Sequence, residues 1–578
     1  MTRPSTSSSR TWCRTLDMLR RARSADPRRA RSHSHARVLS RAAVAGVLLA
    51  AVAPESGAQA ARYGDHSTGV VDFPISCSSR AQVGFDRAVA LLHHMTYPQA
   101  RKAFELVIAA DPDCAMAHWG IAMTLFQPLW PTRPSPDALR RGWDAVQRAK
   151  ALDPPTERER LFVAAVEAFF LDPTSADYWL RIRRWKESSE RLYAAYPNDA
   201  EAASFYALAL LATAPADSAS RVHADSAAAI LLRVYARNPR HPGAVHYLIH
   251  ANDVPGREGD SLAIVRAYDA IAPRNPHALH MPTHIYTRLG DWNAVIRGNR
   301  QAADAALDYP AGDSGQYVWD EFPHAIEYLV YAYLQQGRDE RAAAQIHRLR
   351  ATRRMEPTFK TAFHLASTQA RYALERRDWK QAASIVPREP STIAWDRFAW
   401  PEAISWFARG LGAAHLGMIA RATESAGHLD ALEGASRQAG EASFARNIRV
   451  LHLELNAWIA HATGQRTASI ALVNDAAALE SATPKPAVTP APTLPADELL
   501  GDMLMKQHRP SEALVAYTHS LDLYPNRFNS LLGAARAARE AGEVTQARRL
   551  YAELLTVATR GTRQPALHEA QRYVDRRP

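Results

Sequence analysis

Residues 513–525 read ALVAYTHSLDLYP, with an alanine first, an aromatic ring four positions later and a proline at the end. Ala547 and Tyr551 repeat the alanine and the aromatic ring 34 residues further on, and Gly542 lies just before them. An interval of this length is typical of helical-hairpin repeats, in which the alanine lets two helices approach closely and the proline ends the second helix. The stretch therefore predicts helical hairpins near the carboxyl end of the chain.

The same pattern occurs near the start of the chain, at Ala100, Phe104 and Pro112. Between the two ends, signals for a tight turn followed by a helix begin at Gly290, Gly337 and Arg377. Apolar residues recur at helical spacing through the body of the chain, and β-branched runs are rare. The sequence predicts an all-α fold.

These motifs resemble those of the tetratricopeptide repeat (TPR) superfamily over nearly all of residues 80–570. The resemblance implies a right-handed superhelical solenoid of TPR-like helical hairpins, with a concave groove that binds a protein or peptide ligand. The block Cys114-Ala-Met-Ala-His-Trp-Gly120, together with two histidine pairs described below, also resembles a group of exported bacterial TPR proteins of unassigned function. This closer resemblance implies no activity.

A proline-rich stretch divides the array. Residues 481–495 read SATPKPAVTPAPTLP, with five prolines in fifteen residues, and should be extended rather than helical. The predicted organisation is a leader at 1–60, an N-terminal extension at 61–79, a main TPR-like array at 80–480, a proline-rich linker at 481–495 and a C-terminal TPR pair at 496–578. Because two hairpins are marginally stable alone, the C-terminal pair should dock on the main array.

The leader has the order of a secretory signal peptide. An Arg-rich stretch precedes the apolar run at residues 42–53, and small residues close on Ala58-Gln-Ala60. This order predicts cleavage near Ala60 and export to the periplasm or the extracellular space. The apolar run is shorter than the roughly 20 residues of a spanning helix, and an uncleaved membrane anchor is the alternative. No transmembrane span is expected after cleavage.

The formal net charge of the chain is +11, but residues 1–60 contain eleven Arg against three acidic residues and so carry +8 of it. The rest of the chain is close to neutral. It lacks the basic footprint that nucleic-acid binding requires, so no nucleic-acid partner is expected.

Two cysteines, Cys77 and Cys114, follow the leader. In an oxidising compartment they could form a disulfide that ties the segment before the first helix to the next repeat. The sequence does not establish whether they are close enough, so free thiols are the alternative.

The chemistry of the chain is concentrated in two histidine pairs. His246-Tyr-Leu-Ile-His250 and His280-Met-Pro-Thr-His284 are 34 residues apart, and each spacing of four places two imidazoles on one face of a helix. The TPR resemblance implies that positions 2, 5 and 9 of each first helix line the concave groove. Counting from the turns places these residues there: His246, His250, His277, His280, His284, His324, Glu327, Tyr331, His364, Ser367 and Arg371.

This histidine surface could hold a metal ion. Neighbouring helices lie about 8–10 Å apart, so ligands from two or three helices could meet, and imidazole suits Zn, Cu or Fe. The candidate ligands around one ion are His246, His250, His277, His280, His284, His324 and Glu327. Asp253, Asp320 and Glu321 are candidate supporting groups or further ligands. A metal-free polar or ligand-contact surface, or repeat duplication of structural residues, would explain the same pattern.

Two functions therefore stay open. The first is an exported scaffold that binds a peptide or protein partner in the groove, which is the common use of TPR arrays. The second is a metal-binding protein or a metal-dependent enzyme. The sequence contains no H-E-x-x-H helix, phosphate-binding loop, G-x-S-x-G turn or dinucleotide fingerprint, so it assigns no catalytic residue.

Overall fold

The computed structural model describes residues 68–130, 133–172, 177–215, 217, 219–260 and 262–576. The leader predicted at 1–60 lies outside the described residues. The described residues all belong to one compact unit.

Helices follow one another along the chain, and each long helix packs against its neighbours in sequence. The first group is α1 (Ser79–His93), α2 (Tyr97–Ala110), α3 (Ala115–Met123), α4 (Pro136–Ala151), α5 (Glu157–Phe170), α6 (Tyr178–Ala195), α7 (Ala200–Ala212), α8 (Ser220–Arg237) and α9 (Pro242–Asn252). The second is α10 (Leu262–Val265), α11 (Tyr268–Ile271), α12 (Pro276–His280), α13 (Pro282–Arg288), α14 (Trp292–Ala306), α15 (Glu321–Gln335), α16 (Asp339–Ala351), α17 (Phe359–Leu374) and α18 (Trp379–Ala383).

A 3-10 turn (Trp395–Arg397) then leads into the remaining helices. These are α19 (Ala399–His415), α20 (Ile419–Gln438), α21 (Ala442–Ala462), α22 (Arg466–Ser481), α23 (Ala496–Lys506), α24 (Pro510–Leu523), α25 (Phe528–Glu540), α26 (Val544–Val557) and α27 (Gln564–Asp575). Two short antiparallel strands, β1 (Pro310–Ala311) and β2 (Tyr317–Val318), interrupt the helices between α14 and α15. The predicted all-α fold of successive packed helices is confirmed.

Local sequence explains where the hairpins turn. Gly290 and Gly337 both have φ of 64°, and Arg377 has φ of 55°, the left-handed conformation that follows many helices and that glycine adopts without strain. At Gly290 a side chain would also collide with a neighbour, because a Cβ would lie 2.7 Å from the carbonyl oxygen of Pro525. The turn signals in the sequence thus mark real hairpin turns.

The C-terminal helices dock on the middle of the array. The indole Nε1 of Trp292 donates to the carbonyl oxygen of Asn526 at 2.9 Å. Arg527 is fully buried and donates to Tyr331 Oη at 3.0 Å and Glu375 Oε1 at 2.8 Å. A single apolar cluster extends from Leu279 to Ala570, so the two parts share one core.

Two parts of the main array that are distant in sequence also touch. Arg133 donates to both carboxylate oxygens of Glu441, at 2.8 Å each, across 308 positions of sequence. Its guanidinium lies 3.9 Å from the centroid of the Tyr178 ring, and Trp179 Nε1 donates to the carbonyl oxygen of Gly440 at 3.1 Å. These contacts join the region before α4 and the start of α6 to the turn between α20 and α21.

Cys77 and Cys114 are joined by a disulfide, with their Cα atoms 5.2 Å apart. It connects the segment before α1 to the N-terminus of α3. Among the described residues, no helix combines the length and the apolar character needed to cross a bilayer.

Candidate metal centre

Four helices bring the predicted histidines together. Helix α9 carries His246 and His250, the pair α12–α13 carries His277, His280 and His284, and α15 carries His324. Pro282 separates α12 from α13, because it has no N–H to continue the helix and starts a new first turn instead. All of these histidines except His250 are fully buried or nearly so.

The histidines form two groups of three. In the first triad, His246 Nε2 lies 3.2 Å from His250 Nε2 and 3.1 Å from His277 Nε2. In the second triad, His280 Nε2 lies 2.9 Å from His284 Nε2, and the ring of His324 lies 4.2 Å from the ring of His280 between centroids. In each triad the three ligand nitrogens lie within 4.8 Å of one another. The prediction of a single cluster around one ion is thus replaced by two adjoining triads.

Four of the six imidazole rings form a hydrogen bond through Nδ1 to an oxygen of a residue outside the triads. The acceptors are a backbone carbonyl, two carboxylates and an amide oxygen, in the pairs His246–His93 O (2.5 Å), His277–Glu321 (3.0 Å), His284–Asp253 (2.9 Å) and His280–Asn299 (2.7 Å). The amide oxygen of Asn299 is correctly placed as an acceptor, because its nitrogen donates to Thr283 Oγ1 and to the carbonyl oxygen of Val295. Since none of these oxygens has a proton to give, each Nδ1 carries the hydrogen.

A neutral ring with its hydrogen on Nδ1 presents a lone pair at Nε2. His246 and His277 therefore point lone pairs at each other across 3.1 Å, and His280 and His284 do so across 2.9 Å. Such pairs repel unless a proton or a metal cation lies between them. Two nitrogens bound tetrahedrally to an ion at 2.0–2.1 Å would be about 3.3 Å apart, which is close to the separations seen here.

Burial works against an extra proton on these rings. It lowers the pKa of His246, His250, His280 and His324 well below the ordinary value, and the neighbouring imidazoles lower it further. In the second triad, Nε2 of His324 is also buried without a hydrogen-bond partner, while its Nδ1 lies 2.9 Å from His364 Nε2. These four rings are therefore neutral and can offer a nitrogen lone pair to a metal ion.

Buried cations neutralise the supporting carboxylates. Glu321 accepts from Lys360 Nζ at 2.8 Å, and Asp253 accepts from Arg288 Nε at 2.5 Å and Lys485 Nζ at 3.0 Å. Burial alone would raise the pKa of Asp253, but Lys485 and Arg288 outweigh it and hold that pKa well below the ordinary value. Asp320, the third predicted supporting group, binds Lys360 at 2.8 Å and does not contact a triad histidine directly.

The prediction of an open groove needs correction. Of the eleven residues predicted to line the groove, only His250 keeps partial exposure. Trp130 covers the site from one side, with ring centroids 5.5 Å from His277 and 5.7 Å from His324. From another side the proline-rich segment occupies the groove, with residues 488–491 buried.

The proline-rich segment is held mainly by Arg371. Its guanidinium donates to Pro492 O at 2.7 Å, to Thr489 Oγ1 at 2.8 Å and to Ala491 O. At the other end of the segment, Lys485 Nζ reaches Asp253 and the carbonyl oxygen of Thr489, each at 3.0 Å. The segment between α22 and α23 therefore lines the site instead of acting as a solvent-exposed spacer.

The prediction that Glu327 is a metal ligand also needs correction, because its carboxylate contacts neither triad. One carboxylate oxygen accepts from Ser367 Oγ at 2.6 Å and Arg371 Nε at 2.8 Å. The other oxygen lies 2.5 Å from His364 Nδ1. Both oxygens of Glu327 are thus bound by His364, Ser367 and Arg371, which lie outside the triads. Tyr331, another residue predicted to line the groove, contacts Arg527 instead.

A further buried group, His93, Glu201 and His241, was missed by the sequence analysis. His241 Nδ1 accepts from the backbone N–H of Ala244 at 3.1 Å, so its Nε2 carries the proton and donates to Glu201 at 2.9 Å. His93 Nε2 lies 2.6 Å from the other carboxylate oxygen. Because His241 has no lone pair left over, this group is a polar core network. Asn299 was also missed. It is a polar residue on the apolar, buried face of α14, and this placement is the feature of the sequence that could have indicated a role.

No protein family matches the chain, and no curated protein matches it. Among solved structures it is similar to a chain in the crystal structure of the APC/C hetero-tetramer Cut9–Hcn1. The identity is 13% and the TM-score 0.28, over 86% of this chain and 97% of that chain. A likeness at this level says nothing about function.

Proposed function

We propose that this protein binds two transition-metal ions, one in each histidine triad. The observation that carries the proposal is the facing of Nε2 lone pairs, at 3.1 Å between His246 and His277 and at 2.9 Å between His280 and His284. Their Nδ1 protons are all committed to outward acceptors. This division of the two ring nitrogens, with one bound to an oxygen and the other free, is the usual arrangement of metal-ligating histidine.

The donor set indicates the kind of ion. Six imidazoles without a carboxylate or thiolate suit Zn, Cu, Fe or Ni and do not suit Mg, Ca or Mn. Three ligands per ion leave a fourth position open for water or another small ligand.

The direct test is elemental analysis of protein purified without a polyhistidine tag or a metal-affinity column, after exposure in turn to Zn, Cu and Fe. We expect two ions per chain. His246→Ala and His284→Ala should each reduce the content to one ion, because each removes a ligand from a different triad. A metal content near zero with all three ions would overturn the proposal.

Matched controls separate ligation from histidine content in general. His347→Ala removes an exposed histidine and His241→Ala removes a buried one outside the triads. Both variants should retain two ions per chain, with His241→Ala compared at a temperature where circular dichroism shows it folded.

A second candidate function, binding of a peptide partner, is supported by one observation. A non-helical segment of this chain already lies beside the triads, fixed through backbone carbonyls by Arg371. Helical repeats use such concave surfaces for extended ligands. The test is to replace residues 484–494 by a Gly/Ser linker of the same length and titrate a synthetic 481–495 peptide. Saturable binding that is lost in an additional Arg371→Met variant supports this function, and an absence of binding contradicts it.

Export is part of the same proposal. The leader at residues 1–60 has the order of a signal peptide, and the Cys77–Cys114 disulfide suits an oxidising compartment. Mass spectrometry of protein recovered from the source cells should find a mature N-terminus near Ala60 in a periplasmic or secreted fraction. An intact N-terminus in the cytosolic fraction would contradict export.

A further inference from the structure

The two triads adjoin each other. Ring centroids of His250 and His284, which belong to different triads, are 6.0 Å apart. The centroids of His277 and His280, again from different triads, are also 6.0 Å apart. Within the second triad the His284 and His324 centroids are 6.2 Å apart. The gap between triads is thus no wider than the widest gap within one, so ions held in the two triads would be neighbours.

The surroundings of the pair favour copper. The only ligand atoms in the triads are neutral imidazole nitrogens, and copper lies at the top of the affinity order of divalent first-row metals for such donors. The nearby carboxylates, Glu321 and Asp253, are occupied by histidine Nδ1 protons and by buried cations, so they do not bridge the ions or offset their charge.

Charge burial favours the reduced state of that metal. The triads are buried, and unneutralised charge in such a site is costly. Two divalent ions would bring four positive charges into the site, whereas two Cu(I) ions bring two. The site therefore suits a pair of Cu(I) ions until a negatively charged ligand joins them.

Resting on the proposed function, we propose that the paired triads hold two copper ions that bind one molecule of O2 between them. Each Cu(I) gives one electron, and O2 takes up both to become a bridging dianion at the oxidation level of peroxide. Two Cu(II) ions and this dianion carry a net charge of +2, the same as two Cu(I) ions. No proton, external reductant or second oxidant is required, and release of O2 returns both electrons to the copper ions.

A pair of copper ions suits this buried site because its net charge stays the same when O2 binds. A single buried copper that gave an electron to O2 and lost the reduced oxygen would raise the local charge. The pair keeps both electrons within the site. Only a small ligand fits this scheme, because Trp130 and the proline-rich segment cover the triads and only His250 keeps partial exposure.

The test uses the full untagged chain, loaded anaerobically with Cu(I) and then mixed with O2. We expect one O2 taken up for every two copper ions. We also expect little or no Cu(II) signal in electron paramagnetic resonance, because two Cu(II) spins that share a bridging ligand couple and cancel. Two independent Cu(II) spins per chain, or no O2 uptake by protein that contains two copper ions, would overturn the inference.

Variants make the result specific to the pair. His250→Ala and His284→Ala each disable a different triad, so each should retain one copper, show a full Cu(II) signal after oxidation and lose stoichiometric O2 uptake. His347→Ala, on the surface, should behave as the parent protein. Either triad variant keeping the coupled, silent state would contradict the inference.

The outcomes also distinguish this inference from the proposed function. Binding of two zinc ions with no stable copper, or of two uncoupled copper ions, leaves the protein a two-metal binder and rejects the oxygen chemistry. Failure to bind any metal rejects both.

Discussion

Lys485, in the proline-rich segment, donates through Nζ to Asp253 Oδ2 at 3.0 Å, and the same oxygen accepts from His284 Nδ1 at 2.9 Å. One carboxylate thus connects the segment that covers the site to a ligand of the second triad. Closure of the groove and orientation of a metal ligand are coupled through this oxygen.

Lys485→Met should accelerate metal loss. The substitution removes the contacts to Asp253 and to the Thr489 carbonyl and so loosens the cover over the triads. We expect metal transfer to an excess of chelator to be several-fold faster, measured by stopped-flow absorbance of a chromogenic chelator. Lys506→Met, an exposed lysine on α23, is the matched control. Equal release rates in the two variants would show that the segment does not limit access.

Asp253→Asn should weaken the second triad selectively. Loss of a carboxylate that orients a metal-bound histidine typically costs roughly 10- to 100-fold in affinity. Competition with chelators of known affinity should show that one of the two ions is bound more weakly and that the other is unchanged.

Glu321→Gln is the reciprocal experiment, because Glu321 orients His277 in the first triad. It should weaken the other ion by a similar roughly 10- to 100-fold factor. Combining either carboxylate variant with His284→Ala identifies the ion that is affected. If Asp253→Asn and Glu321→Gln weakened the same ion, the assignment of two separate triads would be wrong.

Two acidic side chains, buried Glu454 and half-buried Glu480, should make stability fall as pH rises. Burial raises the pKa of Glu480 to about 8, and burial together with the charge of Glu480 raises the pKa of Glu454 well above its ordinary value of 4.5. Neither carboxylate oxygen of Glu454 has a hydrogen-bond partner. The native state therefore keeps protons that the unfolded chain has lost above pH 4.5. Since the native state binds more protons, Glu480 lowers stability between pH 4.5 and 8 by up to about 1.4 kcal/mol per pH unit, and Glu454 acts in the same direction above pH 4.5.

Glu454→Gln removes one of these groups and should flatten the dependence. We expect its melting temperature to exceed that of the parent protein at pH 8 and to decline less between pH 5 and 8, as measured by calorimetry. Glu187→Gln, an exposed position on α6, should follow the parent curve. Parallel curves for Glu454→Gln and the parent would contradict this explanation.

The disulfide should stabilise the N-terminal part of the array. It closes a loop with a sequence separation of 37 residues. A cross-link over this length lowers the entropy of the unfolded chain, which stabilises the folded state by about 3–4 kcal/mol. The double variant Cys77→Ser/Cys114→Ser should melt at a lower temperature and become insensitive to reductant. The parent protein should fall to a similar temperature when reduced. A parent melting temperature that reductant does not change would show that the bond is absent or energetically neutral.

The sequence was sufficient to predict the hairpin turns and the histidine-bearing helices because both are local features. Gly290, Gly337 and Arg377 were placed by a pattern that repeats, and the same period predicted that His246 and His280 occupy equivalent positions. A repeat pattern specifies where each hairpin turns, which of its positions are equivalent to those of other hairpins, and how it packs on the next hairpin.

The covering of the site could not be predicted in this way. Trp130 lies in a segment between helices that the repeat does not describe, and it reaches histidines more than 140 positions away. The proline-rich segment was correctly expected to lack helix, but its position beside Arg371 is a contact across 121 positions of sequence, which no local pattern predicts. The division into two triads depends on the Nδ1 partners, which come from several different helices.

The contact between Arg133 and Glu441 has a mechanical consequence. An open solenoid behaves as a spring, whose turns separate or compress when something enters or leaves it. Here two stretches of the coil 308 positions apart are joined, so separating them would require breaking a bidentate ion pair. The contact favours one spacing between these two stretches whether or not a ligand is bound.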